Sequence, residues 1–185
     1  KGSKDPYGGQ PPRPAGLVSH GTLADHLVPL ASQVPKLKEA LKYATTRNIT
    51  GAALYPGQAA CWVRPQLAKA LVGAAKRLAR GGFGLVVYDC YRPWAAQVRL
   101  WQACPKRGLV GDPAKGSHHN RGAAIDLGIY RLADGAILEM PSEFDDLSHR
   151  ARHGYSGGSA QAREHRRWLL LTMRRVGLRS IASEW

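Results

Sequence analysis

The sequence is short of acid. Only 13 aspartates and glutamates stand against 27 lysines and arginines, so the formal net charge at pH 7 is +14. Such an excess attracts a protein to a polyanion: nucleic acid, an anionic membrane face or an acidic cell wall. The basic residues are scattered, though. Their densest group, REHRRWLLLTMRR at 163–175, places them opposite an apolar helical stripe, the pattern of a solvated face, and nucleic acid is not expected as a partner. Cysteine is also scarce. Cys61, Cys90 and Cys104 are spaced 29 and 14 apart, which excludes a CxxC zinc knuckle and a multi-bridge framework and allows at most one disulfide. No apolar run approaches the ~18 residues of a membrane span. The first residues lack a basic segment leading into an apolar stretch. Instead KGSKDPYGGQPPRPAG is rich in glycine and proline, and residues 1–22 are expected to be flexible, as after signal-peptide removal. A periplasmic or secreted location is one expectation, a cytoplasmic one the alternative.

What remains is enough for one core. The chain has 185 residues, 44% of them hydrophobic, and no internal repeat divides it, so 23–185 reads as a single domain. PQLAKALVGAAKRLAR at 65–80 begins with Pro65, repeats apolar residues at Leu67, Leu71, Ala74, Ala75 and Leu78, and stops at Gly81-Gly82, which predicts a helix. FGLVVYDC at 83–90 reads as a buried strand. The chain then turns at Arg92-Pro93 into a second helix to 104, because Pro93 sets the geometry of its first turn and cannot continue a central strand, and Arg92 is left at a strand end. From Ala124 to Ile129 a period of two puts Ala124, Asp126 and Gly128 on one face and Ile125, Leu127 and Ile129 on the other. Residues 160–176 carry a stripe of Ala162, Leu169, Leu170, Met173 and Val176 ended by Gly177, and LRSIASEW at 178–185 reads as a terminal strand. The mixed order predicts an α+β fold.

Asp126 is out of place in this pattern, since a carboxylate in a half-buried strand is costly unless it is paired or binds a metal. His119 lies seven positions earlier, across a glycine that permits a sharp bend, so imidazole and carboxylate can converge on one ion; zinc suits that ligand pair. The alternative is that Asp126 pairs with Arg121 or Arg92 and that His119 is a surface histidine. Spacing leaves both open.

The pattern Ser117-x-His119-x-x-Gly122-x-Ala124-x-Asp126 resembles the signature of the zinc D,D-peptidases that cut peptidoglycan peptides. NITGAALY from 48, ACWVRP from 60, YDCYRP from 88, DPAKGSHHNRG from 112, EFDDLSHRA from 143 and GLRSIASEW from 177 are, in this order, similar to motifs of D-alanyl-D-alanine dipeptidases of the VanX type. The likeness covers roughly Leu23 to Trp185. It implies a zinc peptidase fold of the LAS or hedgehog-like kind: one domain with a mixed or antiparallel central sheet flanked by helices.

The resemblance also implies roles. One zinc ion is held by His119 and Asp126, and Glu184 is the general base that takes a proton from the attacking water and returns one to the departing amine. Without the resemblance Glu184 would be taken for a solvated carboxylate. Arg92 is expected near the scissile carbonyl, where a fixed guanidinium steadies the developing oxyanion. Asp145, with Asp146 beside it, is expected to hold the free ammonium of a dipeptide. Ser117 either contacts the substrate carboxylate or orders the His119 loop. The family's third ligand, a histidine three positions after the glutamate, would fall beyond Trp185, and two ligands alone predict weaker metal binding. His118, His149, His153 and His165 lack the family's spacing, and none is nominated in its place. The implied reaction is hydrolysis of D-alanyl-D-alanine in cell-wall metabolism or glycopeptide resistance. The alternatives are a murein D,D-carboxypeptidase or endolysin-like peptidase, and a non-catalytic wall-binding protein that has lost the metal.

Overall fold

A computed structural model describes residues 11–18, 22–55, 59–104 and 109–185. Of the amino-terminal stretch expected to be flexible, residues 1–10 and 19–21 lie outside the described residues. Val18 is buried with Leu23, Leu27 and Tyr91, and its carbonyl accepts from the Tyr91 hydroxyl at 2.9 Å.

The elements run α1 (Leu23–His26), β1 (Val28–Pro29), β2 (Lys38–Glu39), β3 (Trp62–Val63), α2 (Pro65–Ala79), β4 (Phe83–Asp89), α3 (Trp94–Ala103), β5 (Asp126–Arg131) and α4 (Ala160–Arg175). β1 and β3 form a small antiparallel pair, while the main sheet has the order β2-β4-β5. β2 runs parallel to β4 and β5 antiparallel to it, so the sheet is mixed, the fold is α+β, and there is no closed barrel among the described residues.

The central strand β4 is buried on both faces after Phe83, which explains its unbroken apolar run. Leu85 and Val87 join Leu127 and Ile129 in the core under α2 and α4, where the expected stripe of Leu67, Leu71, Ala74, Ala75 and Leu78 is buried. Val86, Tyr88 and Tyr130 face the other way, towards Phe144 and Trp185. Here Gly128 is required: a Cβ on it would lie 2.8 Å from the Tyr88 hydroxyl. The register of β4 and β5 shifts between Val87 and Asp89, so that Asp89 comes opposite Asp126 at the end of the sheet.

Two sequence expectations change. The second helix begins at Trp94, with Pro93 extended as its cap rather than inside the first turn. The segment 178–185 is not a strand: the Glu184 amide closes a turn on the Ile181 carbonyl, and the Ala182 carbonyl accepts from the His153 amide. Its apolar residues, Leu178, Ile181, Ala182 and Trp185, are spaced three, one and three apart, so no pleated face collects them. The last residue is nonetheless held, for the Trp185 indole donates to Ser142 Oγ at 2.7 Å.

Candidate active site

The site forms where β4 ends, β5 begins, and the turn at 117–122 crosses between them. Gly122 is in the left-handed region, φ 63°, and a Cβ there would lie 2.5 Å from Leu27 Cδ2, so only glycine makes this bend. The turn aims His119 at Asp126, with Nε2 3.5 Å from Oδ1. His119 Nδ1 faces the Cys90 carbonyl at 2.8 Å, which places the proton on Nδ1 and leaves the Nε2 lone pair for the Asp126 side. Burial works against both charges, yet the neighbouring charges together outweigh it: Asp126 and Asp89 hold the imidazole above its ordinary range, and His119 and Arg92 hold the carboxyl below its own. The alternative partners of Asp126 are occupied elsewhere. Arg121 donates to the carbonyls of Ser117 and Lys115, and Arg92 to Asp89 and Gln97.

Asp89, which sequence reasoning did not nominate, offers an oxygen within 4.8 Å of the ligand atoms of His119 and Asp126. Its own contacts argue against a place in the metal's inner sphere. Oδ1 accepts from the Tyr55 hydroxyl, and Oδ2 accepts from Arg92 Nε at 3.0 Å and Nη2 at 2.6 Å, all three side chains being buried. Asp89 sits on the Nδ1 side of His119, 3.3 Å away, and braces both the histidine and the arginine. The residue was visible in YDCYRP as an acid ending a buried strand three positions before an arginine, the same cue that singled out Asp126.

Arg92 is buried, with its guanidinium 4.8 Å from the centre of the Tyr43 ring. Burial disfavours its charge, and Asp89 together with Tyr43, Tyr55 and Asp126 more than restores it. Asp145 has a backbone φ of 62°, unusual outside glycine, which aims its carboxylate at Tyr43 and Ile49: Oδ1 accepts from the Tyr43 hydroxyl at 2.8 Å and Oδ2 from the Ile49 amide at 3.0 Å. Burial raises its pKa, and those two donors hold back the rise. Asp146 lines the same cavity and accepts from the Ser148 amide at 2.8 Å. Ser117 is engaged within its loop, its hydroxyl 3.1 Å from Asn120 Oδ1 and 3.3 Å from Gln97 Oε1 while accepting from the Asn120 amide. Glu184 is raised above the usual carboxylate range by burial and by Asp126, against the pull of His119 and Arg92.

All six residues singled out in the sequence, Arg92, Ser117, His119, Asp126, Asp145 and Glu184, line one cavity of about 430 Å³. Asn120 and Gln97, both buried and both missed in the sequence, stitch its walls together. Among the other histidines, His165 bonds the Glu139 carbonyl, and His153 lines an adjoining cavity of about 450 Å³ that also reaches His119 and Asp126.

A histidine–aspartate pair, a fixed guanidinium and a half-buried carboxylate in one cleft are the equipment of a metal-assisted hydrolase. The family model described as D-ala-D-ala dipeptidase matches residues 23–185, and the chain belongs to that family. It is 42% identical over 160 residues to the D-alanyl-D-alanine dipeptidase of Escherichia coli (strain K12), covering 86% of this chain and 81% of the relative. The D-alanyl-D-alanine dipeptidases of Enterococcus faecium and of Enterococcus faecalis (strain ATCC 700802 / V583) are each 33% identical, covering 78% of this chain and 81% of their own lengths. The chain is thus a peptidase, and its His–Asp pair fits the metallopeptidase class.

Proposed function

We propose that the protein is a zinc-dependent D,D-dipeptidase that hydrolyses D-alanyl-D-alanine, the work of a peptidoglycan-precursor enzyme. The observation that carries this reading is the single cavity lined by His119, Asp126, Arg92, Asp145 and Glu184. His119 Nε2 and Asp126 would hold one zinc ion, a nitrogen and an oxygen donor of the chemistry zinc prefers, with the imidazole oriented from behind by the Cys90 carbonyl. When bound, zinc supplies Lewis acidity at the scissile carbonyl and lowers the pKa of water.

The rest is the work of side chains. Glu184 takes the proton of the attacking water and delivers one to the departing amine. Arg92, kept charged by Asp89, presents its guanidinium to the oxygen on which negative charge develops. Asp145 binds the free ammonium of the dipeptide and Ser117 orders the His119 loop; the two donors already on Asp145 support a carboxylate held for a third. Residues 23–185 form the catalytic domain. No helix among the described residues is long and apolar enough to cross a membrane. The Cys61–Cys90 bridge supports residence in an oxidising compartment, the periplasm or the exterior.

The test is amine release from D-Ala-D-Ala, N-acetyl-D-Ala-D-Ala and a pentapeptide ending in D-Ala-D-Ala by zinc-loaded protein. The free dipeptide is expected to be cut at least ~10²-fold faster than either, because blocking the ammonium leaves the Asp145 carboxylate buried without its partner. Equal cleavage of the pentapeptide would replace this reading with a carboxypeptidase.

A further inference from the structure

We infer that Gln97 is the positioning residue of Arg92, the group that fixes the guanidinium against rotation so that its free edge faces the reacting carbonyl; this rests on the role proposed above for Arg92. Two of the arginine's N–H groups, on Nε and Nη2, converge on one oxygen, Asp89 Oδ2. A fork held on a single oxygen rocks in its own plane about that point. The third contact removes this freedom: Arg92 Nη1 donates to Gln97 Oε1 at 2.9 Å, on the side away from Asp89. These bonds use three of the five guanidinium donors and leave one hydrogen on each terminal nitrogen.

The amide itself cannot turn. Gln97 is fully buried on α3, and its Nε2 donates to the Gly111 carbonyl at 2.7 Å. Arginine offers only donors and a carbonyl only an acceptor, so the oxygen of the amide must face Arg92 and the nitrogen Gly111. The backbone is fixed from the other side, where Asn120 Nδ2 donates to the Arg92 carbonyl at 2.7 Å and the Arg92 amide donates to the His119 carbonyl. Gln97 therefore ties the guanidinium to the turn that carries His119, since Ser117 Oγ lies 3.3 Å from the same Oε1. A glutamine fits where a glutamate would not serve equally: its acceptor is neutral, so it orients the cation without adding a second negative charge beside the developing oxyanion.

The two bonds of the amide can be separated. Gln97→Met removes both at nearly constant volume; Gln97→Glu keeps the acceptor for Arg92 and loses the donor to Gly111. With zinc-loaded protein and D-Ala-D-Ala, Gln97→Met is expected to lower kcat at least ~10-fold with KM within about threefold, as for a misaimed group felt in the transition state. Gln97→Glu should retain more of kcat than Gln97→Met. In an Arg92→Lys background, which lacks Nη1, Gln97→Met should change kcat less than twofold. A readout independent of turnover is the ¹⁵N spectrum of the Arg92 side chain, assigned by its loss in Arg92→Lys: separate Nη1 and Nη2 signals are expected in the parent and in Gln97→Glu, and averaged signals in Gln97→Met. Unchanged Nη signals in Gln97→Met, an equal kcat loss in the Arg92→Lys background, or Gln97→Glu as impaired as Gln97→Met would each overturn the inference. A kcat unaffected by Arg92→Lys would instead remove Arg92 from the mechanism, a separate failure.

Discussion

Asp126 stood out because strands rarely tolerate a buried carboxylate, and its environment shows the reason: His119 faces it, and a cavity opens beside both. Neighbouring carboxyls differ in their proton affinity in ways that can be measured. Glu184, raised by burial and by Asp126, must be ionised to act as a base, so the acid limb of kcat/KM is expected above the ordinary carboxylate range. In Glu184→Gln, zinc content should be unchanged and turnover at least ~10²-fold lower; near-normal turnover would remove the residue from the mechanism. Asp145 gives a stability signal of defined sign. Its folded pKa lies above the unfolded one, so the folded state binds this proton more tightly. The contribution is full below the unfolded pKa and is lost as pH rises through the folded one. Urea unfolding of the parent and of Asp145→Asn, compared from pH 4 to 7, should therefore show the parent losing ground to the variant as pH rises. A constant difference would mean that the Asp145 proton affinity does not change on folding.

The helices 65–79 and 160–175 were legible from their apolar stripes and the glycines just beyond their ends, the strand 83–89 from its unbroken apolar run after Gly82, and the strand 126–131 from its period of two. The short β1, β2 and β3 were not: two residues hold no period, and long-range pairing alone defines them. The terminal segment misled for a related reason, its β-prone residues having no partner strand. The turn at 117–122 was legible in its glycine, and it gives the sharpest test of an element. Gly122→Ala puts a Cβ into Leu27 at a positive φ, so a loss of roughly 2–4 kcal/mol is expected in urea unfolding, with weaker zinc binding as His119 is displaced. A variant as stable as the parent would show that the loop relaxes without cost.

Across the molecule, one bridge ties the small β1–β3 pair to the end of the main sheet. Cys61 and Cys90 lie 29 positions apart with Cα atoms separated by 5.7 Å, and Cys90 is the residue whose carbonyl orients His119. A loop of that length is worth about 3.5 kcal/mol in the chain-entropy account. Reductant should lower the unfolding midpoint of the parent and leave Cys61→Ala/Cys90→Ala unmoved; a parent indifferent to reductant would show that the bridge contributes nothing. The sequence allowed one disulfide but could not pair it, because cysteine spacing carries no information on which strands meet. The six residues of the candidate site were read from family motifs, and they line one cavity. Asp89 showed only as an acid at the end of a buried strand, and Gln97 not at all, since a residue that holds another is recognised only by what it touches. The claim on which everything else depends is that His119 and Asp126 hold a catalytic metal, and zinc add-back measures it directly. Chelator-treated protein should neither contain zinc nor release D-alanine from D-Ala-D-Ala, and adding excess zinc should restore both in the parent but neither in Asp126→Ala. Hydrolysis that survives complete metal removal, or stoichiometric zinc in Asp126→Ala, would contradict the account.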